Sequence, residues 1–136
     1  MKRPIAVCLG FGWDSTAMLI EMHRRGIRPD LITFADVGSE WPATYAFIPL
    51  FKQWCRDHGF PEPVTCIYEP KEETTAKYRR AVLKVAKRLD LILDELQLAR
   101  LSRLYGNMVA NATLPGQAFG VKSCSIKWKL EAQEPT

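Results

Sequence analysis

The sequence predicts an α/β fold, in which a doubly wound parallel sheet carries helices on both faces in three layers. Three short apolar runs, at residues 5–9, 31–35 and 64–68, have the length and composition of strands, and the first is expected to be buried on both faces. Segments with helical periodicity separate them, which is typical of βαβ crossovers. At 136 residues, the chain is expected to form one domain, residues 1–136.

Two helices are expected to connect the three strands. The first is expected over residues 15–25, where Ala, Met, Leu and Glu are frequent, before a glycine that serves as its stop signal. The second is expected over residues 42–58, because Pro42 suits a first helical turn and Gly59 can end the helix.

A longer helical segment follows the third strand. From about residue 75, apolar side chains recur at helical spacing and predict a buried stripe: Tyr78, Val82, Val85, Leu89, Ile92 and Leu96. A break is expected between Asp90 and Asp94, since either aspartate can cap a new helix. The other faces carry six basic residues: Lys77, Arg79, Arg80, Lys84, Lys87 and Arg88. They form either a solvated surface or a contact surface for phosphates or nucleic acid.

Charge and hydropathy set broad limits on the class of protein. Nineteen basic and fifteen acidic residues give a net charge of +4, which suits an anionic partner such as a nucleotide without selecting one. No run approaches the roughly 20 uncharged apolar residues of a membrane span. The first residues also lack the pattern of a secretory signal. We therefore expect a cytoplasmic protein with no membrane partner.

The cysteines and histidines do not form a metal-binding pattern. The cysteines are Cys8, Cys55, Cys66 and Cys124, none of them in a C-x-x-C pair, and the histidines are His23 and His58. Zinc sites require ligands clustered at short spacing, so none is expected. Cys8 and Cys66 lie in apolar runs, where a buried, inert thiol is the usual outcome. With Cys55, they are expected to be structural.

A glycine-containing loop joins the first strand to the first helix. Its sequence is Gly10-Phe11-Gly12-Trp13-Asp14-Ser15-Thr16. The glycines allow a tight turn and a close approach of ligand to backbone. Because the first helical amides lack intrahelical acceptors, the loop offers an anion site. Ser15 and Thr16 can add hydroxyl donors, and Asp14 can cap the helix or hold a divalent cation.

Two common phosphate-binding motifs do not match this loop. A Walker A loop requires a lysine before its Ser or Thr, and here Asp14 precedes Ser15. A dinucleotide fingerprint requires a third glycine where Ser15 stands. A tight turn with a capped helix and no ligand is the alternative interpretation of the loop.

The loop resembles the PP-loop of ATP pyrophosphatases, whose pattern is S-G-G-x-D-S. Its last four positions match Gly12, Trp13, Asp14 and Ser15. The first two positions hold Gly10 in place of serine and Phe11 in place of glycine. The resemblance implies a Rossmann-like domain of the adenine nucleotide alpha hydrolase kind. It also implies that phosphates are bound by the loop residues Gly10, Gly12, Asp14, Ser15 and Thr16.

A segment after the second strand is similar to the phosphoadenylyl-sulfate (PAPS) reductase branch of that superfamily. The branch has a strand that ends in Asp-Thr-Gly, followed by a helix start with an aromatic residue and then Pro-Glu-Thr-Tyr. Valine and alanine stand at two positions of this pattern. Five residues match it: Asp36, Gly38, Pro42, Thr44 and Tyr45. In the family this strand end lies against the adenosine, so the resemblance implies that Asp36 and Gly38 border it. A capped turn is the alternative.

Residues 122–129 are similar to the part of the reductase domain in which a lysine closely follows a cysteine. Four residues are candidates for anion contact: Ser123, Ser125, Lys127 and Lys129. The resemblance implies that the two lysines balance phosphate charge, while Trp128 suits stacking or core packing. Family members with an iron–sulfur cluster have adjacent cysteines here and a later pair. Cys124 has neither, so no cluster is expected.

The resemblance implies that the protein binds ATP or a related adenine nucleotide together with Mg²⁺. In this family the α–β phosphate bond of ATP is cleaved, the second substrate is adenylylated and pyrophosphate leaves. Asp14, Ser15 and Lys127 are then the implied catalytic residues, and Asp14 is the implied metal ligand. The identity of the second substrate is left open.

Three alternatives stay open at this point. Reductases of the branch use a cysteine in a Glu-Cys-Gly-type tail, which residues 134–136 do not match, so sulfonucleotide reduction ranks below adenylylation. The others are a nucleotide-binding module without turnover and an accessory role in tRNA or DNA modification. Family members usually continue beyond the lysine segment, so a C-terminal truncation is also left open, as are a homo-oligomer and a preference for ATP or PAPS.

Overall fold

A computed structural model of the protein describes residues 3–112, 128–129 and 131–133. Within them, three strands form one parallel sheet in the order β1-β2-β3: β1 (Ala6–Cys8), β2 (Leu31–Ala35) and β3 (Val64–Cys66). The same residues contain five α-helices and a 3₁₀ turn: α1 (Trp13–Arg24), α2 (Pro42–Asp57), α3 (Glu72–Arg88), α4 (Glu95–Leu101), α5 (Leu104–Asn111) and the turn at Glu131–Gln133. None of these helices has the length and apolar composition needed to cross a membrane. The predicted α/β class and parallel sheet are confirmed.

The chain divides into two compact units. The first unit comprises Met1–Ala35 and Glu40–Cys66 and contains the sheet with α1 and α2. The second unit comprises Asp36–Ser39 and Ile67–Thr136 and contains α3, α4 and α5. Each unit has an apolar core of its own. That the two units make up one domain stays a prediction.

The core of the first unit lies between one face of the sheet and two helices. The buried residues come from the strands and their ends, from α1, from α2 and from the segment after it: Val7, Leu9, Phe11, Leu19, Ile32, Phe34, Phe51, Cys55 and Phe60. Both crossover helices contribute to this one core. Consecutive strands are neighbours in the sheet, and crossovers of one hand then bring both helices to the same face. The three-layer, doubly wound arrangement stays a prediction.

The first strand is buried on one face only. Val7 points into the core, whereas Ala6 and Cys8 are exposed. The expectation that this strand is buried on both faces was therefore wrong, because β1 forms an edge of the described sheet and the helices cover the face that carries Val7. The central strand β2 is different, since its residues from Ile32 to Ala35 are all buried.

The cysteines differ in burial. Cys55 is fully buried in the core, and this burial raises the pKa of its thiol, with a smaller contribution from the nearby carboxylate of Glu62. A raised pKa keeps the thiol protonated, which agrees with a structural role. Cys8 is exposed and Cys66 is half-buried, so the expectation that these two are buried was wrong.

The bounds of α1 and α2 agree closely with those predicted from the sequence. α1 begins at Trp13, two residues before the predicted start, and the chain reverses at Gly26 with φ of 67°. α2 begins at Pro42 as predicted and ends before Gly59, whose φ is 69°. These glycines adopt the left-handed conformation that commonly ends a helix.

The predicted break after the third helix is confirmed. Asp94 caps α4 in a capping box: its carboxylate accepts from the Gln97 amide at 2.8 Å, and the Gln97 side chain accepts from the Asp94 amide at 3.0 Å. The predicted apolar stripe is correct only within α3, where Tyr78 and Val82 are buried. Beyond it the stripe was wrong, because helical periodicity does not continue across the break; its last three residues are exposed: Leu89, Ile92 and Leu96.

The core of the second unit is formed by side chains from α3, α5 and the segments outside them. It contains Val37, Tyr78 and Trp128. The Trp128 ring meets the Tyr68 ring edge to face, with centroids 5.0 Å apart, so core packing is its role in this unit. A Cβ added to Gly106 would lie 2.8 Å from the Tyr78 Cβ, and glycine there allows α5 to approach α3 closely.

Candidate functional site

The loop after β1 leads directly into the first helix. Gly12 is the N-cap of α1, with φ of −82° and ψ of 172° and no side chain to cap the helix. Asp14 lies in the first turn and is exposed, so the suggestion that it caps the helix was wrong. The first intrahelical hydrogen bond runs from the Thr16 amide to the Gly12 carbonyl at 3.1 Å. The amides of residues 13–15 precede it and have no intrahelical acceptor.

The Ser15 hydroxyl holds the loop closed. It accepts a hydrogen bond from the Gly10 amide and donates one to the Gly12 carbonyl, both at 3.3 Å. The hydroxyl thus bridges the two glycines on either side of Phe11. Its role in the loop is structural, because its one proton is donated to Gly12.

Phe11 occupies the position at which the PP-loop has glycine. The backbone conformation at this position explains why glycine is preferred there. Its φ is 55°, in the left-handed region, which costs an L-residue about 1–2 kcal/mol. The ring is 7% exposed and meets the Phe34 ring edge to face, with centroids 4.9 Å apart. Burial of a phenylalanine is worth about 1.5–3 kcal/mol, so it offsets the backbone cost. The ring is therefore directed into the core.

A cavity of about 480 Å³ opens at the amino-terminal ends of α1 and α2. Four lining residues come from the loop and α1: Phe11, Gly12, Trp13 and Thr16. Four come from the start of α2: Trp41, Ala43, Thr44 and Phe47. The positive ends of two helix dipoles therefore meet at one cavity, which favours an anion there.

Two features of the cavity wall are suited to a ligand. The side-chain oxygen of Thr16 is buried and has no hydrogen-bond partner in the described part of the chain. An unsatisfied buried hydroxyl costs about 1–3 kcal/mol, which a ligand oxygen would recover. A Cβ added to Gly12 would meet nothing within 4 Å, so the backbone here is open to close approach. These residues fit a phosphate group.

Trp13 and Trp41 stand at the same cavity and are almost fully exposed, at 95% and 80%. Large aromatic side chains are seldom this exposed in a folded protein. Sequence reasoning missed both, because Trp13 fills the variable position of the PP-loop pattern and Trp41 precedes a proline at a helix start. The signal in the sequence was that each lies between a predicted strand and the predicted helix that follows it.

Asp36 and Gly38 form a closed turn within the second unit. The Asp36 carboxylate is buried and accepts from the Gly38 amide at 2.8 Å and from the Arg103 guanidinium at 3.3 Å. Gly38 has φ of 79°, and a Cβ there would collide with the carbonyl oxygen of Arg100. This geometry is that of the capped turn that the sequence left open. Contact of Asp36 and Gly38 with adenosine stays a prediction.

The remaining candidates lie elsewhere or outside the described residues. Lys127 is outside them, as are Ser123, Cys124 and Ser125. Lys129 is exposed in the second unit, where its carbonyl accepts from the Gln133 side chain at 2.9 Å. Within the described residues, no three His, Cys, Asp or Glu side chains are grouped to hold a metal ion. A cation beside Asp14 would therefore need oxygens supplied by its ligand.

Five predicted residues thus lie in the loop and first turn of α1, and of these only Gly12 and Thr16 line the cavity; the five are Gly10, Gly12, Asp14, Ser15 and Thr16. Comparison of the chain with protein-family models, with known proteins and with solved structures finds no match. The function of the site is therefore argued from its own residues.

We predict that Phe11→Ala and Trp13→Ala differ strongly in their effect on stability although the residues are near neighbours. Phe11→Ala leaves a cavity in the core and is expected to lower the free energy of unfolding by about 3–5 kcal/mol. Trp13→Ala removes an exposed ring and is expected to change it by less than about 0.5 kcal/mol. Urea unfolding measures both values. Equal losses would show that the Phe11 ring is not directed into the core.

Proposed function

We propose that the protein binds ATP or a related adenine nucleotide through the loop of residues 10–16, with its phosphates at the amino-terminal end of α1. The observation that carries this proposal is the buried Thr16 hydroxyl without a partner among the described residues, in a residue that lines a cavity at two helix N-termini. A phosphate oxygen is the acceptor that this hydroxyl lacks. The free amides before Thr16 supply further donors to the same group.

The open backbone at Gly12 supports the same proposal. Phosphate oxygens approach a loop closely only where no side chain intervenes, and nothing within 4 Å limits the space at Gly12. The match of Gly12, Trp13, Asp14 and Ser15 to the PP-loop pattern agrees with this use of the loop. The exposed carboxylate of Asp14 is available for Mg²⁺ shared with phosphate oxygens, and the bound ion would neutralise phosphate charge.

We extend the proposal to adenylyl transfer. A nucleophile of the second substrate attacks the α-phosphorus, the bond from that phosphorus to the α–β bridging oxygen breaks, and its electron pair leaves with pyrophosphate. The loop amides and the Thr16 hydroxyl would donate hydrogen bonds to oxygens that gain charge in the transition state, while the Ser15 hydroxyl would hold the loop in place through Gly10 and Gly12. Lys127, which lies outside the described residues, is proposed to balance the charge of the phosphates.

We predict that Thr16→Val weakens nucleotide binding while it stabilises the free protein. Valine has a similar shape but removes a hydroxyl that has no partner before the ligand binds, so unfolding is expected at higher temperature. Loss of a hydrogen bond to a charged phosphate is expected to lower ATP affinity about 10- to 100-fold. Calorimetric titration with ATP and Mg²⁺, together with thermal unfolding, measures the two effects.

Thr65→Val is the matched control for this experiment. Thr65 lies exposed on β3, in the same unit, and is not among the residues that line the cavity. Its substitution is expected to leave ATP affinity unchanged. If Thr16→Val binds ATP with unchanged affinity, the proposed phosphate-binding site is contradicted.

We predict that the protein releases pyrophosphate from ATP in the presence of Mg²⁺ and that Asp14→Ala lowers this rate at least about tenfold, because charge neutralisation by the ion is worth several kcal/mol. Asp57→Ala, at the exposed end of α2, removes the same group elsewhere and is expected to have no effect. A coupled pyrophosphate assay measures the rate. ATP binding without any release would instead identify a nucleotide-binding module.

A second candidate function is contact with nucleic acid, and α3 provides the observation for it. Arg79 of this helix pairs with Glu95 at 2.8 Å, and Lys77 donates to Asn111 at 2.9 Å. Four other basic residues of α3 lie away from its buried face and are exposed: Arg80, Lys84, Lys87 and Arg88. They form no ion pair with any described residue. This basic stripe extends for about 12 Å, which suits a sugar–phosphate backbone.

We predict that Arg80→Gln, Lys84→Gln and Lys87→Gln, combined in one variant, reduce salt-dependent binding to nucleic acid. Each lost phosphate contact is expected to lower the slope of log affinity against log salt by about 0.9 on duplex DNA. The control variant removes three exposed arginines of the first unit: Arg24, Arg25 and Arg28. Fluorescence anisotropy with a labelled duplex at several salt concentrations tests this. Equal loss in both variants would indicate only a general effect of charge.

A further inference from the structure

Trp13 and Trp41 are two indole rings exposed at one cavity. Trp13 is the first residue of α1 and Trp41 is the N-cap of α2, so each residue stands at the start of a helix. Neither ring packs against another aromatic ring among the described residues, although both line the cavity with Phe11 and Phe47. Their apolar faces are available to a ligand.

The chemistry of this part of the cavity suits a flat aromatic ring. Stacking of a base on an aromatic side chain is worth about 1–3 kcal/mol, which is about 5- to 150-fold in affinity. The cavity volume of about 480 Å³ lies within the range of about 300–1,000 Å³ for small-molecule sites. The same cavity contains Gly12 and Thr16, so a ring held by the tryptophans would belong to a ligand whose phosphates contact the loop.

The turn after β2 is a poorer place for the base. Its carboxylate, that of Asp36, already accepts from the Gly38 amide and from the Arg103 guanidinium. Asp36 is also only 9% exposed, so little of its carboxylate can be reached by a ligand. A base therefore finds little of this carboxylate to contact.

We infer that the purine ring of the bound nucleotide is held by stacking on Trp13 and Trp41, in the cavity at the amino-terminal ends of α1 and α2. This inference rests on the proposed nucleotide-binding function and adds the part of the protein that holds the base. The ring is bound by its faces, and the Thr16 side of the cavity receives the phosphates.

Titration with ATP and with inorganic pyrophosphate, each with Mg²⁺, distinguishes the contribution of the purine ring to affinity from that of the phosphates. The native protein is expected to bind ATP about 5- to 150-fold more tightly than pyrophosphate. Trp13→Ala and Trp41→Ala are each expected to lower ATP affinity about fivefold or more and to leave pyrophosphate affinity unchanged. Trp41→Phe keeps a ring and is expected to restore most of the affinity. ATP, but not pyrophosphate, is expected to quench tryptophan fluorescence.

Leu50→Ala is the matched control, because Leu50 is an exposed apolar side chain on α2 that does not line the cavity. It is expected to change neither affinity. If the tryptophan variants bind ATP as well as the native protein does, or lose ATP and pyrophosphate equally, the stacking inference is overturned while the phosphate site stands. If the native protein binds neither ligand, both the inference and the proposed function are overturned.

Discussion

The placement of the Phe11 ring is the constraint on which the site depends. The loop between β1 and α1 must turn through a left-handed residue, and a phenylalanine adopts that conformation only at a cost of about 1–2 kcal/mol. Packing against Phe34, Phe47 and Phe51 more than offsets this cost. With the ring held inside, the backbone around Gly12 faces outward, and the amides of the first turn of α1 are left for an anion.

The same packing brings two helix starts to one cavity. Phe11 from the loop and Phe51 from α2 share the core, while Phe47, one turn earlier in α2, packs against it. The first turns of α1 and α2 consequently contribute backbone, hydroxyl and indole groups to a common space. Apolar contacts in the core therefore position the two helices whose amino-terminal ends favour an anion. The exposed indole rings beside these helix ends suit stacking with an aromatic ring of a ligand.

The sequence predicted the parts of the fold that depend on local patterns. The apolar run at Leu31–Ala35, the proline at the start of α2 and the cap at Asp94 each determine an element boundary on their own. The exposure of Cys8 was not predictable in this way, because it depends on which face of an edge strand the helices cover.

The candidate site was predictable in part. Glycine and hydroxyl residues in the loop pointed to the proposed anion site, since their chemistry is local. The partner of Asp36, Arg103, lies 67 residues away and becomes its neighbour only through tertiary packing. The exposure of Trp13 and Trp41 likewise depends on packing, because an indole in a short segment suits a core equally well, as Trp128 does.

The most direct test of the central claim is an NMR titration of backbone amides and indole N–H groups. Inorganic pyrophosphate is expected to shift the amide signals of residues 12–16, and ATP is expected to shift these together with the indole signals of Trp13 and Trp41. Loop amides that do not respond to either ligand, while signals elsewhere in the protein do, would contradict the central claim.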